Sequence, residues 1–314
     1  MLLEKNRLFK KNCLYICFAD YKIGVGHLFR SQILAKSLKN YGWTNFLFGP
    51  NITQKNNIKK KLFKKIIYLK SIDKKKNLKE LNENIFKIIE KNKINLIIID
   101  SYLIENKFQK KIRDKLILKI NNKKTNNKYC DLVLDYSFNL KPNKNNSKYL
   151  LGPKYCLLDN KITKTKVDKN KKILITFGGS NLLQQIKNTI EVIKKILPDY
   201  KVYVSTPSLD FYKILKNNLI DVKIILSPSL SKLLNSYKFK FIISSAGHSL
   251  YELIFNNYPS IFVGMFVNQY KNIDYLKKKS GAKVLLYKKD TFKKEMGAFL
   301  KQYKHNNKFF NINK

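Results

Sequence analysis

Blocks of apolar and polar positions alternate along the chain, and their spacing predicts strands and helices in turn. Short uninterrupted apolar runs are typical of buried strands, whereas apolar residues every three or four positions indicate amphipathic helices. In the first half the pattern predicts strands at residues 14–19, 45–48, 95–99, 116–120 and 132–135, and helices at 27–39, 77–91 and 105–113. The pattern restarts at residue 172 and predicts strands at 172–177, 201–205, 222–226, 239–243 and 260–263. It predicts a helix ending at residue 196 and helices beginning near residues 248, 268 and 291.

This alternation predicts an α/β protein built from two doubly wound, Rossmann-like domains with parallel sheets covered on both faces. A polar stretch rich in lysine, threonine and asparagine at residues 159–170 is interpreted as the linker between them. The predicted domains are therefore residues 1–158 and 171–290, followed by a C-terminal helix and tail at 291–314. That helix could pack back across the N-terminal domain. Two such domains would face a cleft at the carboxyl ends of their strands, where ligands bind in folds of this class.

A glycine loop joins the first predicted strand to the first predicted helix at residues 24–30 (GVGHLFR). Gly24 and Gly26 allow a ligand to approach the backbone closely, and the N–H groups at the helix start point towards it. The dipole of the helix disfavours the imidazolium form of His27, so a neutral imidazole can serve as a general base. Arg30 lies on the same helical face. A tight turn with a capping histidine is the structural alternative, and this loop alone does not separate the two.

The strong positive charge changes this picture little. The chain has 314 residues and a formal net charge of +43, but only three of its 64 basic residues are arginine. Lysine, asparagine and isoleucine are the residues that AT-rich codons supply, and the lysines are scattered along predicted helices. Scattered lysines usually form a solvated face. We therefore expect no specific nucleic-acid partner, only a weak background attraction to anions.

Cysteine and histidine placement gives no sign of a metal site. The four cysteines lie in or beside apolar runs and are interpreted as reduced core residues. The three histidines are far apart in the sequence and lack metal-ligand spacing. Neither a signal peptide nor a membrane-length apolar run is apparent, so we expect a cytoplasmic monomer with no membrane association, cofactor or metal.

Four segments together carry a family resemblance. They are residues 23–27 with Arg30, residues 175–181 (ITFGGSN), residues 245–252 (SAGHSLYE), and Asn268-Gln269 followed by Gly281-Ala282. In this order and spacing the chain resembles the nucleotide-sugar hydrolases of pseudaminic acid biosynthesis, from about residue 14 to residue 286. Those enzymes release UDP from UDP-2,4-diacetamido-2,4,6-trideoxy-β-L-altropyranose and have the glycosyltransferase-B architecture. The resemblance implies a UDP-sugar substrate, His27 as the base, inverting C–O cleavage at the anomeric carbon, and no cofactor or metal.

The resemblance also implies a substrate-binding set. Its members are Gly24, Gly26, Arg30, Asp100, Tyr102, Gly178, Gly179, Ser180, Gly247, His248, Ser249, Glu252, Asn268 and Gln269. The glycine turn at residues 178–180 can offer N–H donors to a diphosphate. A carboxylate at Glu252 would accept the ribose hydroxyls.

Each of these residues has a structural alternative. Glu252 could be a first-turn acid that complements the helix dipole. Asn268 and Gln269 could cap their helix. Asp100 could belong to an ordinary strand-end turn. For His248 we favour a lining role in its turn over contact with phosphate.

The chain departs from the family pattern at charged positions. Relatives often carry an aspartate pair where this chain has Asn121-Asn122, and arginines near Phe18, Asn126 and Asp159. Such changes alter the electrostatics of a charged site. A glycosyltransferase of the same fold is the alternative enzyme, and the apolar residues among lysines at 62–69 leave room for an acceptor or membrane surface. A basic RNA-binding protein is the non-enzyme alternative, disfavoured by the lack of clustered arginines.

Overall fold

Two parallel β-sheets organise the chain, each in its own structural unit. The computed structural model describes residues 11–20, 25–69, 78–101, 103–120, 129–138, 148–159, 171–227, 229–279 and 283–306. The first unit contains the described residues up to 157, except Val25, Gly26, Ser137 and Phe138. Those four residues group with the second unit, which also contains the described residues from 158 onwards.

The first unit is built from strands and α-helices, most of which its apolar pattern predicts. Its elements are β1 (Asn12–Ala19), α1 (Gly26–Asn40), β2 (Thr44–Asn51), β3 (Lys65–Leu69), α2 (Leu78–Lys91), β4 (Leu96–Asp100), α3 (Asn106–Lys111), β5 (Leu116–Ile120), β6 (Leu132–Asp135) and β7 (Lys148–Leu151). Among the described residues the sheet has seven strands in the order β3-β2-β1-β4-β5-β6-β7. Strands β1 and β4 lie at its centre and are almost wholly buried, which explains their uninterrupted apolar runs.

The second unit repeats this architecture. Its elements are β8 (Lys172–Thr176), α4 (Leu183–Ile196), β9 (Lys201–Thr206), α5 (Leu209–Asn218), β10 (Lys223–Leu226), α6 (Leu230–Ser236), β11 (Phe241–Ser245), α7 (His248–Phe255), β12 (Ser260–Gly264), α8 (Tyr270–Lys279), β13 (Lys283–Leu286) and α9 (Phe292–Asn306). In the described part of this unit the strand order is β10-β9-β8-β11-β12-β13. Both sheets therefore have the doubly wound order of the Rossmann fold.

The strand order places two loops of each unit at a topological switch point. In the first sheet the order reverses between β1 and β4, which are parallel neighbours, with Cys17 opposite Asp100. In the second sheet it reverses between β8 and β11, with Thr176 opposite Ser244. Loops that leave the carboxyl ends of such strand pairs diverge and open a crevice that ligands use.

The C-terminal helix is packed into the core of the second unit. Helix α9 packs within the second unit, where Phe292, Met296, Leu300 and Tyr303 join the hydrophobic core that includes α4. The apolar residues of α9 at helical spacing pack against the sheet and helix α4 of the second unit. The expectation that this helix also packs across the N-terminal domain stays a prediction. The predicted linker lies outside the described residues apart from Asp159.

Strand β11 begins two residues later than the apolar pattern predicts. The hydroxyl of Tyr258 accepts a 2.9 Å hydrogen bond from the Phe239 N–H and donates one of 2.9 Å to the Phe239 carbonyl. The Tyr258 side chain thus hydrogen-bonds the N–H and carbonyl of Phe239, which would otherwise be available to extend the β11 ladder. Within the described residues, no helix is both long enough and apolar enough to cross a membrane.

Candidate functional site

His27 stands at the start of the first helix of the first unit. Helix α1 begins at Gly26, so the imidazole of His27 lies in the first turn, as the sequence predicts. The space beside the Cα of Gly26 is open, because a Cβ added there would meet no atom within 4 Å. The other glycine of the predicted loop, Gly24, lies outside the described residues.

Asp100 joins His27 at the carboxyl edge of the sheet. It is the last residue of β4, and its Oδ1 lies 2.7 Å from the Nδ1 of His27. Its carboxylate also receives the Nε–H of Arg30 on Oδ2 at 2.5 Å, and the Nη2–H of Arg30 on Oδ1. The three side chains form one charged hydrogen-bonded cluster at the switch point between β1 and β4.

The cluster keeps Asp100 ionised. Burial by itself raises the pKa of this carboxyl, but the positive charge of Arg30 and the contact with His27 outweigh it and lower the pKa to about 2. An ionised carboxylate can only accept hydrogen bonds, so it favours the tautomer of His27 that carries its proton on Nδ1. In that tautomer Nε2 is unprotonated and can accept a proton from a bound molecule.

Tyr136 is part of this cluster, and the sequence analysis did not identify it. Its hydroxyl accepts a 2.8 Å hydrogen bond from Nη1 of Arg30, and the guanidinium carbon lies 5.8 Å from the centre of its ring. Burial raises the pKa of Tyr136 well above its ordinary value, so the hydroxyl stays neutral. One signal was available, since Tyr136 directly follows β6 and so stands at the same edge of the sheet as Asp100.

Arg30 and Asp100 are both buried in the structure. Both were predicted to bind substrate directly. Their exposed fractions are 5% and 1%, and their polar atoms are engaged with each other, His27 and Tyr136. These contacts suit the two side chains to orient His27, and direct binding of substrate by either of them stays a prediction. Tyr102, the other predicted residue of this segment, lies outside the described residues.

The second glycine turn follows β8 in the second unit. Gly178 has a φ of +82°, which L side chains rarely adopt, and the space beside it is open. Gly179 is instead packed tightly, because a Cβ there would lie 2.9 Å from Cγ2 of Val25 and 3.3 Å from Cγ of Pro207. The absence of a side chain at Gly179 thus serves contact with the protein itself. Ser180 ends the turn and is partly buried.

The start of α7 forms the other side of this switch point. Gly247 is the N-cap residue and makes no side-chain capping bond, so the first N–H groups of the helix, at His248 and Ser249, lack intrahelical acceptors. Gln269 lies beside it, with Nε2 3.4 Å from the position that a Gly247 Cβ would occupy. The Oε1 of Gln269 accepts the Met265 N–H at 2.9 Å. Asn268 is exposed to solvent.

Glu252 is buried in the second turn of α7 and is only 8% exposed. No hydrogen bond from the described residues reaches its carboxylate. Burial, and then the negative charge of Asp159, raises the pKa of Glu252 to about 7. A buried carboxyl without donors is costly to ionise, so this position favours a ligand that brings hydroxyl donors of its own.

Comparison with known proteins establishes the fold. No protein-family model matches the chain. An uncharacterized protein of Methanocaldococcus jannaschii is 29% identical over 284 residues, which cover 82% of this chain and 56% of that protein. The chain thus spans little more than half the length of this curated relative.

Several solved structures share both units. They include MurG of Acinetobacter baumannii (14% identity, TM-score 0.59, 95% of this chain and 90% of that chain). They also include the spinosyn rhamnosyltransferase SpnG complexed with thymidine diphosphate (8% identity, TM-score 0.69, 95% of this chain and 92% of that chain). The S. aureus MnaA–UDP co-structure is a third (11% identity, TM-score 0.64, 96% of this chain and 90% of that chain). At these identities the likeness concerns the fold. It confirms the predicted pair of Rossmann-like domains of the glycosyltransferase-B type.

Proposed function

We propose that this protein is a nucleotide-sugar hydrolase that releases UDP and a free sugar by attack of water at the anomeric carbon. The observation that carries the proposal is the pairing of His27 with a buried, ionised Asp100 at the switch point of the first unit. A histidine oriented by a carboxylate is a recurring device for removing a proton from an attacking oxygen.

The first unit would supply the base. The Nε2 of His27 takes a proton from a bound water, and the water oxygen forms a bond to the anomeric carbon. The bond between that carbon and the diphosphate oxygen breaks, and UDP departs with the electron pair. Because water attacks the face opposite the leaving group, the configuration at the anomeric carbon inverts.

The second unit would bind the nucleotide. The N–H groups at the start of α7 and in the glycine turn after β8 are suited to phosphate oxygens. The Glu252 carboxylate would accept the hydroxyls of a ribose. Two of the similar structures are described with a nucleoside diphosphate, one with thymidine diphosphate and one with UDP, which supports this assignment.

The sugar is the finer part of the proposal. The sequence motifs resemble the hydrolases of pseudaminic acid biosynthesis, so we propose a UDP-linked 2,4-diacetamido-2,4,6-trideoxy sugar as the substrate. The free sugar would then be available for condensation into a nonulosonic acid. Gly24 and Tyr102, which the resemblance brings near the sugar, lie outside the described residues.

Isotope labelling tests the reaction. Purified protein is incubated with UDP-linked diacetamido sugars in ¹⁸O-labelled water, with EDTA and without added metal, and the products are analysed by mass spectrometry. We expect UDP release with the label in the free sugar and none in UDP. Label in the UDP phosphate would mean P–O cleavage and would overturn the mechanism. Failure to release UDP from any of these substrates would overturn the proposed activity.

A glycosyltransferase is the second candidate, because MurG and a rhamnosyltransferase are among the similar structures. The same base could remove a proton from an alcohol instead of water. Strict dependence of UDP release on an added carbohydrate or lipid acceptor would favour the transferase. Release at an undiminished rate without any acceptor would favour the hydrolase.

A further inference from the structure

Two charged groups compete for one nitrogen of His27. Its Nδ1 lies 2.7 Å from Oδ1 of Asp100 and 2.9 Å from Nη2 of Arg30. The carboxylate can only accept a hydrogen bond, whereas the guanidinium can only donate one. The proton on the imidazole therefore has two possible positions, and each satisfies one neighbour at the expense of the other.

The position of this proton decides whether His27 can act as a base. When Nδ1 carries the proton it donates to Asp100, and Nε2 is left as an acceptor. When Nδ1 accepts from Arg30 instead, the proton lies on Nε2, which then cannot take another. In that second tautomer two acceptors, Nδ1 and Oδ1 of Asp100, face each other at 2.7 Å, which is unfavourable.

Tyr136 holds the guanidinium in the orientation that favours the first tautomer. The planar fork of Arg30 is fixed at one end by Asp100, which accepts from Nε and Nη2, and at the other by the Tyr136 hydroxyl, which accepts from Nη1 at 2.8 Å. With both ends fixed, an N–H of Nη2 points at the carboxylate. Removal of the hydroxyl would leave the buried Nη1–H without this acceptor and would loosen the guanidinium. Nη2, already 2.9 Å from Nδ1 of His27, could then tilt to donate its second N–H to Nδ1 in place of the carboxylate contact.

We propose that Tyr136 is a positioning residue that sets the tautomer of His27 by way of Arg30. The significance of this tautomer for activity rests on the proposed function, in which Nε2 of His27 is the base. The tautomer itself is a property of the protein without substrate and can be measured separately.

Nitrogen NMR provides the direct test. Protein labelled with ¹⁵N-histidine is examined at a pH where His27 is neutral, and the His27 signals are assigned with the His27→Asn variant. We expect the wild-type signals to show Nδ1 protonated and Nε2 unprotonated, and Tyr136→Phe to move them towards the opposite tautomer. The matched control is Tyr258→Phe, which removes a hydroxyl from a tyrosine of the second unit. Tyr258 and Tyr136 are buried to a similar degree, with 4% and 3% of each residue exposed. The control should leave the signals of His27 unchanged.

Kinetics provide the second readout. Tyr136→Phe should lower kcat by about tenfold, in line with the effect of lost outer hydrogen-bond partners, while the affinity for UDP stays at the wild-type value. Unchanged His27 signals in a folded Tyr136→Phe protein would overturn the inference. A wild-type protein in which Nε2 of His27 carries the proton would also overturn it. Absence of UDP-sugar hydrolysis with the expected tautomers would overturn the proposed function and leave the assignment of Tyr136 standing.

Discussion

The carboxylate of Asp100 lies 2.7 Å from the imidazole of His27, although 73 positions separate the two residues in the sequence. The contact exists because β1 and β4 are neighbours in the sheet while β2 and β3 lie on the far side of β1. His27 begins the helix that follows β1, and Asp100 ends β4. Both therefore stand at the same carboxyl edge, and the expected effects of changing them follow from this geometry.

Replacement of His27 tests the base directly. His27→Asn removes the proton acceptor but retains a small polar side chain at the start of α1. Turnover should fall by on the order of a hundredfold or more, the usual consequence of losing a general base, while the fold is retained. The measurement is UDP release under saturating substrate, with circular dichroism as the check on folding. His305→Asn, on the exposed last turn of α9, is the control. A folded His27→Asn protein with wild-type turnover would refute the assignment.

Replacement of Asp100 should lower both activity and stability. Asp100→Asn leaves the Arg30 guanidinium buried without its counter-charge, a loss that typically costs about 3–5 kcal/mol of unfolding free energy. The folded-state pKa of Asp100 lies below its ordinary value, so the ionised carboxylate stabilises the folded protein. This contribution is present above about pH 4 and is lost as the pH falls towards 2. Urea unfolding should therefore show a large difference from wild type at pH 7 that narrows in acid. The exposed Asp199→Asn should show little change, and an Asp100→Asn protein as stable as wild type at pH 7 would contradict the ion pair.

Loss of the Glu252 carboxylate should weaken nucleotide binding. Glu252→Ala removes the acceptor proposed for the ribose hydroxyls, and calorimetry should show UDP affinity reduced by roughly 1–3 kcal/mol. Glu191→Ala, which removes an exposed glutamate from α4, should bind UDP like the wild type. Equal affinities in the two variants would remove Glu252 from this role.

The same carboxyl should make the empty protein less stable as the pH rises. Since the pKa of Glu252 in the folded state is raised to about 7, the folded protein holds a proton that the unfolded chain releases near pH 4.5. Its contribution to stability is complete below pH 4.5 and is lost as the pH rises through 7. Glu252→Gln should therefore stabilise the protein at pH 8 by roughly 3–4 kcal/mol, since the pKa is raised by about 2.5 units at about 1.4 kcal/mol per unit, with little gain at pH 5. Thermal unfolding at the two pH values is the measurement, and a gain of the same size at both would show that the carboxyl does not titrate in this range.

Gly179 should tolerate alanine only when Val25 is also replaced by a smaller residue. The new methyl group of Gly179→Ala would lie 2.9 Å from Cγ2 of Val25, and overpacking of this kind costs about 1–3 kcal/mol. In the double variant with Val25→Ala the cost should be smaller than the sum of the two single changes. Gly178→Ala is the contrasting control, since its cost comes from the positive φ and should not respond to Val25. Strictly additive effects at Gly179 and Val25 would contradict the packing contact.

Much of the fold could be predicted from the sequence because buried parallel strands need uninterrupted apolar residues. Strands β1, β4 and β8 lie at sheet centres, and their apolar runs identify them directly. The predictions omitted β3, β7 and β13, which lie at the two edges of the first sheet and at one edge of the second. An edge strand is covered less completely, so its residues need not be uniformly apolar; β3, for example, has an exposed lysine and partly exposed apolar residues.

The sequence by itself determined the α/β class, the repeated domain architecture, and the glycine turns that begin α1 and follow β8. Local periodicity and glycine placement encode these features within a few neighbouring residues. Only the tertiary structure showed that Asp100, Arg30 and Tyr136 form one hydrogen-bonded cluster with His27, and that no donor from the described residues reaches the buried carboxylate of Glu252. The reason is physical, since strand order decides which distant residues share an edge. Desolvation and neighbouring charges then set the ionisation of each carboxyl, and neither effect is written in the spacing of residues along the chain.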